Sequence, residues 1–318
     1  TLENGEKSKY RDWYFIDGFP LKSEWGEIPN FKCFGYYGGM PKLNLKNPEV
    51  EKYITDVACY WIKECDIDGW RLDVGDEISH FFWKNFRKAV KAVKKDMLII
   101  GEIWHYAGDF LEGDEWDTVM NYPFYLNLID LLADEKITVS QFVQNLGYLK
   151  GRLHKNCYPL MWNLIDSHDT ARFLHLCNDN KKKQHLAAAF QLLLPGMPMI
   201  YYGDEYAMPG ANDPDCRRGM YWDEEYQDKE MYEWYKRLIQ VRKSHACIVE
   251  GELAGSVTED EEGTIVLIRK NGEETIAMIF NCSSSAKKFN EYTQKYNLLT
   301  ENTFDGNVEG FDAAVIVL

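Results

Sequence analysis

The sequence predicts an α/β fold followed by a small antiparallel β domain, and three observations predict it. Short apolar runs that read as buried strands alternate with segments of helical period over residues 45 to 246. Three acidic residues each follow such a run: Asp73 in Trp70-Arg71-Leu72-Asp73-Val74, Glu102 in Ile100-Gly101-Glu102-Ile103-Trp104-His105, and Asp169 in Asp166-Ser167-His168-Asp169-Thr170. Beyond residue 246 the pattern becomes short alternating runs parted by turn clusters. Strands separated by helices of this size mean parallel βα units, whose working residues lie at the C-terminal strand ends. A carboxylate there is costly to bury unless partners hold it, so three such placements point to one acidic site built from several strand ends.

Each element follows from its own pattern. Apolar groups at 50, 53, 54, 57, 58, 61 and 62, behind Pro48, predict a helix over 49–65. A strand over 69–74 comes next, then a helix over 78–94 with Phe81, Phe82, Phe86, Val90 and Val93 as its stripe, then a strand over 97–101. Further strands are expected at 118–122, 161–165 and 197–202, and helices near 125–133, 139–150, 183–194 and 229–244. A closed (β/α)8 barrel and a doubly wound open sheet both satisfy this order. No GxGxxG or GxxxxGK[ST] phosphate loop supports a nucleotide site. In the C-terminal domain, Thr264 to Ile268 and Thr275 to Phe280 read as strands, and Lys270-Asn271-Gly272-Glu273 as the hairpin turn between them.

Composition limits what the acidic site belongs to. With 318 residues, 45% of them hydrophobic and 14% aromatic, the chain can bury a large core. A net charge of −15 repels phosphate backbones and anionic membrane surfaces, so neither nucleic acid nor membrane is an expected partner. No apolar stretch approaches the roughly 20 residues that span a bilayer, and residues 1–20 lack a basic segment followed by an apolar one. The eight cysteines form no CxxC pair and no zinc-finger spacing, which suggests reduced thiols and a cytoplasmic location.

These residues carry a resemblance. Gly69-Trp70-Arg71-Leu72-Asp73, Gly101-Glu102-Ile103-Trp104-His105 and Asn163-Leu164-Ile165-Asp166-Ser167-His168-Asp169 resemble, in order, the second, third and fourth conserved regions of the α-amylase family of glycoside hydrolases. Met40-Pro41-Lys42-Leu43-Asn44 resembles the extra region ahead of barrel strand 4 in neopullulanases, cyclomaltodextrinases and maltogenic amylases. The likeness continues through Tyr201-Tyr202-Gly203-Asp204-Glu205 and Asp213-Pro214-Asp215-Cys216-Arg217 into the β domain. It implies a (β/α)8 TIM barrel of which strands 4 to 8 are present, followed by an antiparallel β-sandwich. The first conserved region, with its Asn-His pair at the end of barrel strand 3, is absent, as are strands 1 to 3. The chain therefore reads as the C-terminal part of a longer enzyme, one whose full length is a candidate homodimer. Residues 1–44 would be the rest of a loop domain, 45–246 the barrel part and 247–318 the β domain.

The resemblance also implies roles. Asp73 would be the nucleophile, kept ionised by Arg71 two residues earlier on the same strand face. Glu102 would be the general acid and then base, with Ile103 and Trp104 as an apolar wall. Asp169 would be the third acid, binding sugar hydroxyls with His168. Asp213 and Arg217 would close the glycone side, and Glu77 and His105 would face the aglycone side. The substrate would be an α-glucan, with α-1,4 bonds, and α-1,6 bonds as a second target, in cyclodextrins, pullulan, starch or maltooligosaccharides cleaved with retention. An inactive glucan-binding fragment and a transglycosylase or isomerase of the same superfamily are the alternatives. Bland readings compete residue by residue: a structural ion pair for Arg71 and Asp73, a cap for Glu102, and an N-cap ahead of Thr170 to Leu174 for Asp169. The loop aromatics Trp25, Phe31, Tyr36 and Tyr37 suit sugar stacking and loop packing equally. No cofactor is required. The acids at 213 and 215 could ligate calcium, but no EF-hand spacing occurs and no metal is expected.

Overall fold

The structure is a computed structural model that describes every residue except Leu2 and Trp25. Trp25, one of the loop aromatics singled out above, thus lies outside the described residues. The chain forms two compact units, one of residues 1–100 with 113–116, the other of residues 101–112 with 117–318.

In the first unit, residues 1–44 are held by isolated bridges, Tyr14 to Leu43, Ile16 to Phe31 and Cys33 to Pro41. Helix α1 (Pro48–Cys65) starts where Asn47 accepts the Glu49 N–H and proline fills the first turn. It ends at Asp66 in the left-handed conformation, φ 48°. Strand β1 (Gly69–Leu72) precedes α2 (His80–Val93), and strand β2 (Leu98–Gly101) follows it. Helices α1 and α2 pack together, burying Val50, Ala58 and Ile62 on one and Phe82, Trp83, Phe86 and Val90 on the other. The expected stripe is wrong at two positions, since Phe81 is 67% exposed and Val93 is also exposed. Phe82, Phe86 and Val90 repeat every four residues, and about 100° per residue turns position 81 off that face. Trp83 takes the place instead, donating Nε1–H to the Gly75 carbonyl at 2.8 Å.

The second unit opens on Gly101, whose carbonyl accepts the Met120 N–H at 3.1 Å. Strand β3 (Thr118–Val119) continues through a parallel bridge, Met120 to Trp162, to β4 (Trp162–Leu164), which pairs in parallel with β5 (Met197–Met199). The strands predicted here exist but are only two or three residues long. Asn121 ends the run beyond β3 by capping α3 (Tyr122–Leu128) through the Phe124 N–H, and Pro198 removes a donor from β5.

The remaining helices are α4 (Val139–Arg152), α5 (Phe173–Leu176), α6 (Lys181–Leu193), α7 (Lys229–Ser244) and α8 (Ala246–Glu250). Their starts follow sequence rules: Thr138 and Gln141 form a capping box, and Asn180 and Asp228 cap α6 and α7. Helix α6 is buried from Leu186 to its end, because Ala187, Ala188 and Ala189 let neighbours approach closely.

The C-terminal strands are β6 (Glu252–Glu259), β7 (Thr264–Asn271), β8 (Glu274–Asn281), β9 (Lys287–Lys288), β10 (Tyr296–Asn297), β11 (Asn302–Thr303), β12 (Asn307–Val308) and β13 (Asp312–Val317). Six of them form one antiparallel sheet in the order β11-β10-β13-β8-β7-β6, and β9 pairs with β12. The β7–β8 hairpin closes through Gly272 and Glu273, with Asn271 paired to Glu274, and glycine fits the φ of 60° at 272. Alternation puts Ile265, Leu267, Ile276, Met278, Phe280 and Val315 into the helical core, and Val266, Ala277, Ile279, Ala314 and Ile316 into a second core with Tyr292, Phe304 and Val308.

Candidate active site

In the first unit, Arg71 and Asp73 share the face of β1 and its exit, as the two-residue spacing requires. Arg71 Nη1 lies 2.5 Å from Asp73 Oδ1, and the Asp73 side chain is 68% exposed. The next residue, Val74, is left-handed at φ 45° and ψ 47°, a conformation rarely adopted by a β-branched residue. Such strain clusters at working sites, and here it turns the chain sharply behind the acid. Glu77 pairs with Lys42, so the Met-Pro-Lys-Leu-Asn segment and the turn after Asp73 are joined. Among the loop aromatics, Phe31 is buried and therefore packs. Tyr36, 83% exposed, and Tyr37 border an open pocket of about 990 Å³ with Tyr10, Tyr14 and Ile16.

In the second unit, Glu102 is only 4% exposed and precedes the fully buried Ile103. Trp104 stacks on Tyr122 with ring centres 4.3 Å apart at 11°, and the Tyr122 hydroxyl lies 3.2 Å from Ser167 Oγ. The segment after β2 is thereby tied to the one after β4. His105 Nδ1 is 3.2 Å from the Tyr106 carbonyl.

Asp169 is brought together with three other predicted residues. Its Oδ2 lies 3.1 Å from His168 Nε2 and its Oδ1 3.2 Å from Arg217 Nη2, while Arg217 Nε reaches Asp213 Oδ1 at 2.8 Å. The loop is shaped by Ser167 Oγ accepting the Asp169 N–H and Thr170 Oγ1 accepting the Ser167 N–H. The capping alternative for Asp169 does not hold, because the helix begins at Phe173 and Asp166 accepts the Phe173 N–H instead. Asp215 is engaged by Arg218 through two bonds of 2.7 and 2.8 Å, which hold its carboxyl below the usual range. Asp213 is likewise engaged, through Oδ1, by Arg217. Among the described residues, no group of three His, Cys, Asp or Glu is arranged to hold a metal ion, and no helix is long and apolar enough to cross a membrane.

One group lies beyond the sequence reading: buried Asp166, Arg172 and Asp204. Asp166 and Asp204 fall inside segments quoted above, but nothing in their spacing shows that the fold brings them to one guanidinium.

The Alpha amylase, catalytic domain family matches residues 2–227. A cyclomaltodextrinase of Geobacillus thermopakistaniensis is 46% identical over 90% of this chain and 48% of its own length. The intracellular maltogenic amylase of Bacillus subtilis is 42% identical over 88% of this chain and 47% of its own. A solved cyclomaltodextrinase superposes with a TM-score of 0.93 at 36% identity, over 99% of this chain and 56% of that one. The chain spans about half the length of the curated relatives it matches. Its motifs, its strand-end acids and these likenesses agree, and the chain belongs to the α-amylase family of glycoside hydrolases.

Proposed function

We propose that this chain carries the catalytic groups of a retaining α-glucan hydrolase of the cyclomaltodextrinase type, set in a (β/α)8 barrel. The observation that carries this reading is the Asp169 cluster. A carboxylate held from both sides by His168 and Arg217, with Asp213 behind the arginine, presents alternating donors and acceptors to sugar hydroxyls.

Asp73 acts as nucleophile, supported by its exposure and by the Arg71 guanidinium against it. It bonds to the anomeric carbon as Glu102 gives its proton to the departing glycosidic oxygen; water then attacks as Glu102 takes a proton, which releases Asp73 and retains the configuration. The burial of Glu102 suits a group that must exchange its proton with the sugar and not with bulk water. His105 and Glu77 serve the aglycone side. The bonds cleaved are α-1,4 glucosidic, with α-1,6 as a second target, in cyclodextrins, pullulan, starch or maltooligosaccharides. No cofactor enters these steps. We place the protein inside the cell, as the name of its Bacillus subtilis relative says of that protein.

The test is to incubate this chain, beside a version extended upstream, with β-cyclodextrin and with pullulan and to follow the anomer released by NMR. Release of the α-anomer, abolished by Asp73→Asn and by Glu102→Gln, is the expected result. Absence of hydrolysis by the extended version, or variants of it as fast as their parent, would refute the reading.

A further inference from the structure

Three residues beyond Asp169, a guanidinium is completely enclosed. The Arg172 and Asp204 side chains are both 0% exposed, with Nη1 3.0 Å from Asp204 Oδ1. Arg172 also donates from Nε to the Cys216 carbonyl at 3.1 Å and from Nη1 to the Tyr202 carbonyl at 2.7 Å. Its plane stacks on Tyr201 and Tyr202, at 4.1 and 4.9 Å. The two carbonyls belong to different loops, one after β5 and one carrying Asp213 and Arg217. Cys216 directly precedes Arg217, and its Sγ donates to the His168 carbonyl at 3.5 Å. The Arg172 backbone N–H bonds the Gly210 carbonyl at 2.9 Å. A Cβ at 210 would lie 2.8 Å from the Asp215 carbonyl and 3.2 Å from Arg172 Cγ, so the loop seats on Arg172 only because residue 210 is glycine.

The charge balance explains how a guanidinium stays enclosed. Asp166 is also buried; its Oδ1 accepts the Phe173 N–H, and its Oδ2 meets no N–H or O–H donor. Two ionised carboxylates with one guanidinium would leave a net negative charge in a closed site. Burial first, and then the Asp204 charge, push the Asp166 carboxyl well above the usual range. A proton kept on Asp166 and turned toward Asp204 would leave one ionised pair and no excess charge.

We infer that Arg172 is a positioning residue: gripping the carbonyls of Tyr202 and Cys216 from below, it aims Arg217 at Asp169 and so sets sugar binding without touching sugar. The inference rests on the proposed role of Asp169 and Arg217. A planar fork reaches two carbonyls and a carboxylate at once; an ammonium does not.

The experiment compares the parent chain, Arg172→Lys, Arg217→Ala and the double variant. Hydrogen exchange is followed in peptides covering 199–206 and 211–218, and KM and kcat are measured on maltotriose. In Arg172→Lys, exchange is expected to rise about tenfold in both segments and to stay unchanged at 264–281. KM is expected to rise about tenfold with kcat within roughly threefold, and the double variant to be no worse than Arg217→Ala alone. Unchanged exchange, or additive losses in the double variant, would overturn the inference by making Arg172 a structural residue independent of Arg217. If the parent hydrolyses nothing, maltotriose affinity by calorimetry takes the place of KM: an affinity about tenfold lower in Arg172→Lys upholds the positioning role, and an unchanged one overturns it. Should Arg172→Lys not fold, Gly210→Ala lifts the same loop from the same guanidinium and is expected to give the same exchange and KM changes.

Discussion

Replacing Asp166 by Asn is expected to make the chain more stable at neutral pH and to flatten its pH dependence. Asn keeps an oxygen for the Phe173 N–H and offers Asp204 the N–H that the protonated carboxyl now supplies as O–H. The sign follows from the direction of the shift. An acid whose value is raised by folding holds a proton that the unfolded chain releases near pH 3.9, so the folded state loses ground as pH climbs above that value. The loss is about 1.36 kcal/mol per pH unit until the folded-state value is passed. Because Asp166 is raised well above its ordinary 3.8, the loss continues as pH climbs above that value until the folded-state value is passed. The D166N chain is spared it. Exchanging an O–H donor for an N–H donor costs about 1 kcal/mol at most. D166N should therefore gain on the parent as pH rises, by about 1.36 kcal/mol for each pH unit over which Asp166 keeps its proton. Urea unfolding followed by tryptophan fluorescence at pH 5, 6, 7 and 8 measures both curves. Parallel curves, with D166N the less stable by more than about 1 kcal/mol at every pH, would show that Asp166 is ionised and that the charge balance drawn around Arg172 is wrong.

Asp204→Asn removes the ionised partner of Arg172 and is expected to cost about 3 to 5 kcal/mol, read as a lower urea midpoint at pH 7; a loss under about 1 kcal/mol would contradict the pairing. Val74→Asn replaces a β-branched residue held at φ 45° with one that tolerates that region, so stability should rise by about 1 kcal/mol in thermal unfolding; a fall would mean that Val74 packing outweighs its strain. Trp104→Ala removes the stack on Tyr122 and should cost about 1 kcal/mol beyond the lost area, with faster exchange at residues 102–106; an unaltered exchange pattern would show that the stack does not fix that segment.

What the sequence disclosed and what it withheld divide along physical lines. Helices were legible because their signals are local: Asn47 with Pro48, Thr138 with Gln141, and Asp228 each mark a start that the backbone then makes. Strands over 118–122 and 161–165 were legible in place but not in length, since a buried apolar run looks the same whether paired over five residues or two. Phe81 was misplaced because Phe81, Phe82 and Trp83 are equally apolar, and only the partner helix decides which of them faces inward. The Asp169 cluster is legible from motif order, which also picks out its partners His168, Asp213 and Arg217. The support beneath that cluster was not, because Asp166, Arg172 and Asp204 meet only through two loops that the fold closes. Their chemistry nevertheless constrains how the loops can change. A guanidinium that satisfies a carbonyl on each loop cannot be removed without leaving a buried carboxylate pair, and a residue larger than glycine at 210 cannot be admitted without moving Cys216. Any relative that alters one member of this group should therefore alter the others with it, by replacing the ion pair with apolar side chains of similar volume or by opening both loops to water.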